Sequence, residues 1–266
     1  MTRIARVTRL DRAGIEVACA VRPGGHVLQV TNGKGLRFAE AAAGALLEAA
    51  ELACAERVDA ADLRWATEEE LRDRDTPFVG GAELGGGPGG HRRIAFRAAH
   101  DLADGAEVLV PAAAVHVPPE GGPSLGLVDV RWTSNGMGAH PRWDSALLHA
   151  LLEAVERHEL ARALPEGWTE EDVRARHIAA ARVERAAPHV AELAQRIERR
   201  GLDVHLFDLA PRRGIGVPVA GALLVDRERG PIPVTAGYAA RLDAAAALEA
   251  ALLEAAQSRL TDIHGA

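Results

Sequence analysis

The sequence predicts one α/β domain of mixed α+β character over residues 1–266, with mixed sheets, an internal pseudo-repeat and three carboxylate-bearing helices. Three observations carry that reading. Short apolar runs bounded by Gly, Pro, Asn and Asp turns alternate with Ala/Leu-rich stretches of helical length. The order of strands, glycine-containing loop and helix returns two or three times. Finally, the pentapeptide Ala-Leu-Leu-Glu-Ala occurs three times, each followed by a second polar group. Its copies are Ala45–Ala49 with Glu51, Ala150–Ala154 with Glu156, and Ala251–Ala255 with Gln257.

Taken in order, residues 4–30 read as short strands, with turns at Leu10–Gly14 and Arg22–Gly25 and strand runs at Ile15–Val21 and Val27–Val30. Thr31–Gly35 reads as a polar loop, and the first helix runs from Phe38 to Arg57. Residues 76–92, with Gly85-Gly86-Gly87-Pro88-Gly89-Gly90, read as a mobile surface loop. Strands follow at Ile94–Ala98 and Glu107–Pro111, joined by the turn Leu102–Gly105, and another at Val128–Trp132. Thr133–Gly138 is a second polar loop before a helix from Arg142 to Ala163. A helical region spans 169–200, strands span Asp203–Phe207 and Pro218–Val225, and the third carboxylate helix runs from Asp243 to Leu260.

The bulk numbers narrow the function. Apolar content of 48% and charged content of 26% are those of a globular chain that buries a full core. Aromatics at 3% leave that core to Ala, Leu and Val. A formal charge of −7 argues against a general nucleic-acid partner. Cys19 and Cys54 fit no metal-binding spacing and read as small buried hydrophobes. The N-terminus lacks the apolar core of a signal peptide and no run is long enough for a membrane span, so the expectation is a cytoplasmic protein without a membrane partner.

Ala, Leu and Glu are strong helix formers, so one Ala-Leu-Leu-Glu-Ala copy could be a solvated face. Three copies, 105 and 101 residues apart at their glutamates, are more informative. Two polar groups three residues apart share a helix face. If the three helices pack together, Glu48, Glu51, Glu153, Glu156 and Glu254 converge with Gln257. Crowded carboxylates call for a cation, and hard divalent ions carrying phosphates prefer such oxygen donors. The loops Asn32-Gly33-Lys34-Gly35 and Ser134-Asn135-Gly136 precede the first two of these helices. Backbone N–H groups in such loops suit phosphate oxygens, and Lys34 adds a charge, although Gly35 rules out a Walker A loop.

These pieces resemble the YcaO-domain family. Gly33–Leu36 with Ala45–Glu51 is similar to its first ATP-binding segment, Ser134–Gly136 with Ala150–Arg157 to its second, and Glu254–Leu260 to its third. Thr8–Ile15 and Ala20–Pro23 resemble the lead-in of members that work with a TfuA partner. The resemblance implies an ATP- and Mg2+-dependent cyclodehydratase or thioamidation enzyme, which phosphorylates a peptide amide oxygen on the way to a thioamide or azoline. It implies that Glu48, Glu51, Glu153 and Glu156 hold magnesium and the triphosphate. Lys34 would pair with phosphate, with Asn135, His149, Arg157, Glu254, Gln257 and Arg259 completing the nucleotide pocket. It also implies a peptide or protein substrate, a TfuA-like or peptide-recognition partner, and a homodimer. No catalytic residue is assigned, since phosphoryl transfer is mainly positioning and charge neutralisation. The chain departs from the family at Ala41 and Gly44, where hydroxyl residues are usual, and at His149, where an amide is usual. It also ends at Ala266, before the family's usual C-terminal extension. These departures leave an alternative, a catalytically inactive nucleotide-binding scaffold for a partner enzyme.

Overall fold

The computed structural model describes residues 1–87, 90–127, 129–164, 167–210 and 215–265. The chain forms two compact units: Met1–Pro23, Val30–Ala49 and Asn135–Ala266 make the first, and Gly24–Gln29 with Ala50–Ser134 the second.

The first unit holds two three-stranded antiparallel sheets. In one, β1 (Arg3–Arg6), β2 (Glu16–Val21) and β3 (Val30–Gly35) lie in sequence order, with Cys19 opposite Asn32 and Val17 opposite Lys34. Helix α1 (Phe38–Glu56), whose residues through Ala49 belong to this unit, lies on that sheet. Its contact is a seam of Ala41, Ala45 and Ala49 against Ala18 and Ala20. Methyl groups alone allow such close approach, and the Thr31 hydroxyl donates to the Ala45 carbonyl at 2.8 Å across it.

In the second unit, β4 (Leu63–Ala66), β5 (Ile94–His100) and β6 (Glu107–Pro111) form a sheet around Phe96, Leu71, Ile94 and Leu109. Two short helices, α2 (Glu68–Asp73) and α3 (Ala112–Val115), accompany it. Thr67 caps α2, accepting from the Glu70 N–H while the Glu70 carboxylate accepts from the Thr67 N–H.

The rest of the first unit begins with α4 (Trp143–Ala163), followed by α5 (Glu170–Arg176), α6 (Ala180–Ala186) and α7 (Pro188–Glu198). The last sheet is β7 (Leu202–Asp208), β8 (Val219–Asp226) and β9 (Val234–Ala240), and α8 (Ala244–His264) closes the chain. Val190, Leu193, Ile197, Leu202, Leu224 and Leu252 fill the main core. Leu152 and Leu160 of α4 pack on Phe207, Leu209 and Val219.

The mixed α/β class and all three carboxylate helices are as expected from the sequence. Four details differ. Residues Thr31–Gly35 are strand rather than loop, and of the expected strand Val27–Val30 only Val30 is strand, because Asn32 and Lys34 alternate with buried Thr31 and Gly33 in the pairing with β2. The glycine-rich stretch is partly packed: the Gly81 N–H donates to Glu68 at 2.9 Å, and a Cβ on Gly86 would overlap the Asp129 carbonyl. Pro88 and Gly89 lie outside the described residues. Residues 129–132 are not strand, and Val128 lies outside the described residues. Finally, β4 and β9 were not read from the sequence.

Three glycines bring helices down onto what precedes them. A Cβ on Gly33 of β3 would overlap the Ala41 carbonyl and Ala45 nitrogen of α1. One on Gly237 of β9 would do the same at Ala251 and Ala255 of α8, and one on Gly138 would overlap the Ala146 carbonyl and crowd Ala150 of α4. In every copy the contact falls on an alanine of the repeated pentapeptide, one turn before its glutamate or directly beside it. The pseudo-repeat is therefore physical: a bare backbone position seats each carboxylate helix.

Candidate active site

Strand β3 and helices α1, α4 and α8 each bring a polar group to one place in the first unit. Lys34 points from β3 and donates to Glu254 of α8 at 2.9 Å, both side chains being about a quarter exposed. Glu48 of α1 accepts from the Asn32 N–H at 3.1 Å. Glu153 of α4 accepts from the Gly136 N–H at 3.2 Å, and Glu156 from the Ala240 N–H at 3.3 Å. Arg157 stands 3.8 Å from Glu153 and 3.6 Å from Glu156.

These carboxylates feel one another. Burial raises the Glu48 carboxyl above its ordinary range; the Asn32 N–H and Lys34 oppose this, while Glu153 and Glu254 add to it. Glu153 is also raised, first by burial, against Arg157 and the Gly136 N–H. Glu156 is pushed up to about 7 by burial and by Glu254, which Arg157 and the Ala240 N–H do not offset. Tyr238 of β9 faces the same cluster, its phenol raised by burial and by Glu254. The site is thus short of positive charge, and its donors are hard oxygens, the set a hard divalent cation takes. Among the described residues no three His, Cys, Asp or Glu side chains stand close enough to share one ion.

One turn before Glu153 the sign changes. His149 is lowered by burial and then by Arg241, Lys34 and His140. Arg241, directly after β9, and Lys34 of β3 thus put positive charge beside His149.

One expected residue is committed to other partners. Arg259 is buried elsewhere, 3.0 Å from Asp11 and 2.9 Å from Asp226, and it also donates to the Ile232 carbonyl. Three acceptors use its guanidinium internally, so its place in the nucleotide pocket is not supported. Asn135 sits in the turn beside Gly136, whose N–H makes the contact with Glu153. Gln257 lies one turn beyond Glu254, half-buried, its main-chain carbonyl accepting from the Thr261 hydroxyl at 3.1 Å. Glu51 lies three residues beyond Glu48 on α1. Ala41, read as a lost hydroxyl, is fully buried in the alanine seam, where a hydroxyl would have no ligand to meet.

Asn32, Tyr238, His140 and Arg241 were missed. A signal existed for two of them: Val30-Thr31-Asn32-Gly33-Lys34 is echoed by Val234-Thr235-Ala236-Gly237-Tyr238. That second pattern marks both β9 and the strand position equivalent to Lys34.

Comparison with known proteins places the chain in a family. A family model described as YcaO cyclodehydratase, ATP- and Mg2+-binding, matches residues 32–266. The chain belongs to the YcaO family. A protein of Methanothermobacter thermautotrophicus, itself uncharacterized, is 31% identical over 279 residues, covering all of this chain and 67% of its own length. A Rhizobium leguminosarum bv. trifolii protein from the tfuA 3′ region is 32% identical over 274 residues, covering all of this chain and 63% of its own. The structure of YcaO from Methanopyrus kandleri with AMPPCP and Mg2+ is similar with a TM-score of 0.69 at 25% identity, over 99% of this chain and 63% of that one. The chain thus spans about two thirds of the length of these relatives.

Proposed function

We propose that this chain uses ATP and Mg2+ to activate backbone amides of a peptide or protein substrate, on the way to a thioamide or an azoline. The observation that carries the reading is the charge imbalance. Carboxylates from three helices crowd together, and Lys34 and Arg157 do not neutralise them. Glu48, Glu153 and Glu156 would hold Mg2+, each ion taking one or two carboxylates and completing its shell with phosphate oxygens and water, as Mg2+ prefers. Lys34, Arg157, His149 and Arg241 would face phosphate oxygens, and Asn135, Glu254 and Gln257 would line the same pocket. When bound, ATP supplies the phosphoryl group that turns an amide oxygen into a leaving group. The residues of the chain orient and neutralise, which is most of what phosphoryl transfer asks of a protein.

The M. kandleri structure with AMPPCP and Mg2+ supports the nucleotide part. The tfuA-region relative supports a TfuA-like partner and tilts the product toward a thioamide. Assembly as a homodimer belongs to the same proposal. A second reading, a nucleotide-binding scaffold without turnover, is favoured by His149, which stands where the family usually carries an amide.

Calorimetry of ATP binding with and without Mg2+, on wild type and on Glu48→Gln/Glu153→Gln, tests the site. Magnesium-dependent binding that weakens sharply in the double variant is expected, and absence of binding to the wild type sinks the reading. ATP consumption with peptide and partner present then separates enzyme from scaffold.

A further inference from the structure

The seating glycines also fix which helix positions correspond. Each lies against the carbonyl of one alanine and the nitrogen of the alanine four residues on. The nitrogens are those of Ala45 in α1, Ala150 in α4 and Ala255 in α8, which align the three helices. Three residues beyond Ala45 stands Glu48, and three beyond Ala150 stands Glu153. Three beyond Ala255 stands Ser258. The pentapeptide glutamate of α8, Glu254, comes about one turn earlier, at the place of Gly44 in α1 and His149 in α4, and is committed to Lys34 at 2.9 Å.

The backbone in front of the helices follows the same alignment. Glu48 accepts from the N–H of Asn32, the residue just before Gly33. Glu153 is held down by the N–H groups of Gly136 and Met137, the second being the residue just before Gly138. The corresponding residue of the third repeat is Ala236, just before Gly237. Its N–H points away from β8: N–H groups at even spacing along a strand share an edge, and the Ala240 N–H reaches out from that edge to Glu156. Where the other repeats bring an acceptor to this N–H, the third brings a hydroxyl, itself a donor. Ala236 and Ser258 are both half-buried rather than sealed.

We infer that the third repeat holds a phosphate group, with the Ser258 hydroxyl and the Ala236 N–H donating to its oxygens. The inference rests on the nucleotide reading and gives it an internal division. Two repeats contribute carboxylates, which suit a cation, and the third contributes donors, which suit the anion that the cation carries. Neutral donors fit this place, since a cationic side chain here would be claimed by Glu254 as Lys34 is.

Two probes separate the inference from the reading beneath it: ATP and inorganic phosphate, each with Mg2+. Both are titrated into the full chain by calorimetry and followed at the Ala236 amide by NMR. Ser258→Ala should weaken ATP binding at least about tenfold, the worth of a hydrogen bond to a charged group. Ser258→Gln adds no charge and can lay its carbonyl on the Ala236 N–H, as Glu48 does on Asn32, so it should weaken binding further. Thermal midpoints should hold, because α1 and α4 carry longer side chains at the same place. The Ala236 amide proton should shift with either probe in wild type and stay put in Ser258→Gln. Wild-type ATP affinity in both variants overturns the inference and leaves the nucleotide reading standing. An Ala236 amide that moves with neither probe overturns it too. Phosphate that shifts this amide while ATP fails to bind upholds the phosphate site and sinks the nucleotide reading instead. Should Ser258→Gln lose its midpoint, Ser258→Ala and the wild-type amide shift still decide.

Discussion

Two clusters of buried charge in the first unit are built from the same materials and balanced in opposite ways. The two buried carboxylates Asp11 and Asp226 meet Arg12 and Arg259, one positive group for each, and Arg12 also pairs with the exposed Glu228. Burial alone would raise the Asp226 carboxyl, but the Glu228 N–H, Arg259 and Arg12 outweigh it and hold it low. At the carboxylate site Glu48, Glu153, Glu156 and Glu254 outnumber Lys34 and Arg157, and Glu156 is driven up to about 7. Balance marks a structural pillar, closing strand β8 against helix α8. Imbalance marks a place that expects charge from elsewhere. Burial of carboxylates is common to both, so it does not tell them apart; the count of matching cations does.

The largest effect should come from the balanced cluster. Arg259→Met leaves Asp11 and Asp226 buried beside one remaining arginine, and breaking such a pair costs about 3–5 kcal/mol. Urea unfolding should show that loss. If the variant instead keeps its stability and loses ATP affinity, Arg259 belongs to the nucleotide site and the comparison fails. Next in size is Gly33→Ala, whose added Cβ overlaps the backbone of α1. Overpacking of this kind costs about 1–3 kcal/mol. It should also displace Glu48, so magnesium-dependent ATP binding should weaken along with the melting temperature. A neutral Gly33→Ala would show that α1 slides freely on β3.

Much of this was legible in the sequence, and the misses have physical causes. The three carboxylate helices declared themselves by repetition, and their extents came within a few residues. The Glu48, Glu153 and Glu254 convergence followed from that repeat. Strand β3 was misread because Asn, Gly and Lys at positions 32–35 are turn residues by propensity. Pairing with Glu16–Val21 and the close seat of α1 override that preference. Strand β9 was missed for the same reason, its glycine and alanines being poor strand formers that fit only because α8 lies directly on them. The pairing of Arg259 was not legible because helix position alone does not say which neighbour claims a guanidinium. Its claimants, Asp11 and Asp226, are 248 and 33 residues away.

Glu156 sharpens the comparison through pH. Its carboxyl, at about 7 when folded and 4.5 as the reference, is raised, so its contribution to stability is present at low pH and fades as pH climbs through 7. The metal-free protein should therefore lose a few degrees of thermal midpoint between about pH 5 and 7.5, and Glu156→Gln should flatten that fall. Added Mg2+ should restore the midpoint at pH 7.5 in wild type and less so in the variant. A midpoint that rises with pH in the metal-free wild type would contradict the imbalance.

The smallest effect on stability, and the most local test of geometry, belongs to Lys34. Its pair with Glu254 is about a quarter exposed on both sides, so Lys34→Met should cost no more than about 1 kcal/mol. The electrostatic consequence should be larger than the energetic one. Lys34 holds the Glu48 carboxyl down and the His149 imidazole down, acting on both from the same strand position. Its removal should raise both, and a proton-detected titration of His149 reads the second directly. An upward shift in His149 would establish that His149 and the carboxylate cluster share one lysine. An unchanged titration would separate them, leaving Lys34 as a partner of Glu254 alone and removing the link between the two halves of the proposed phosphate site.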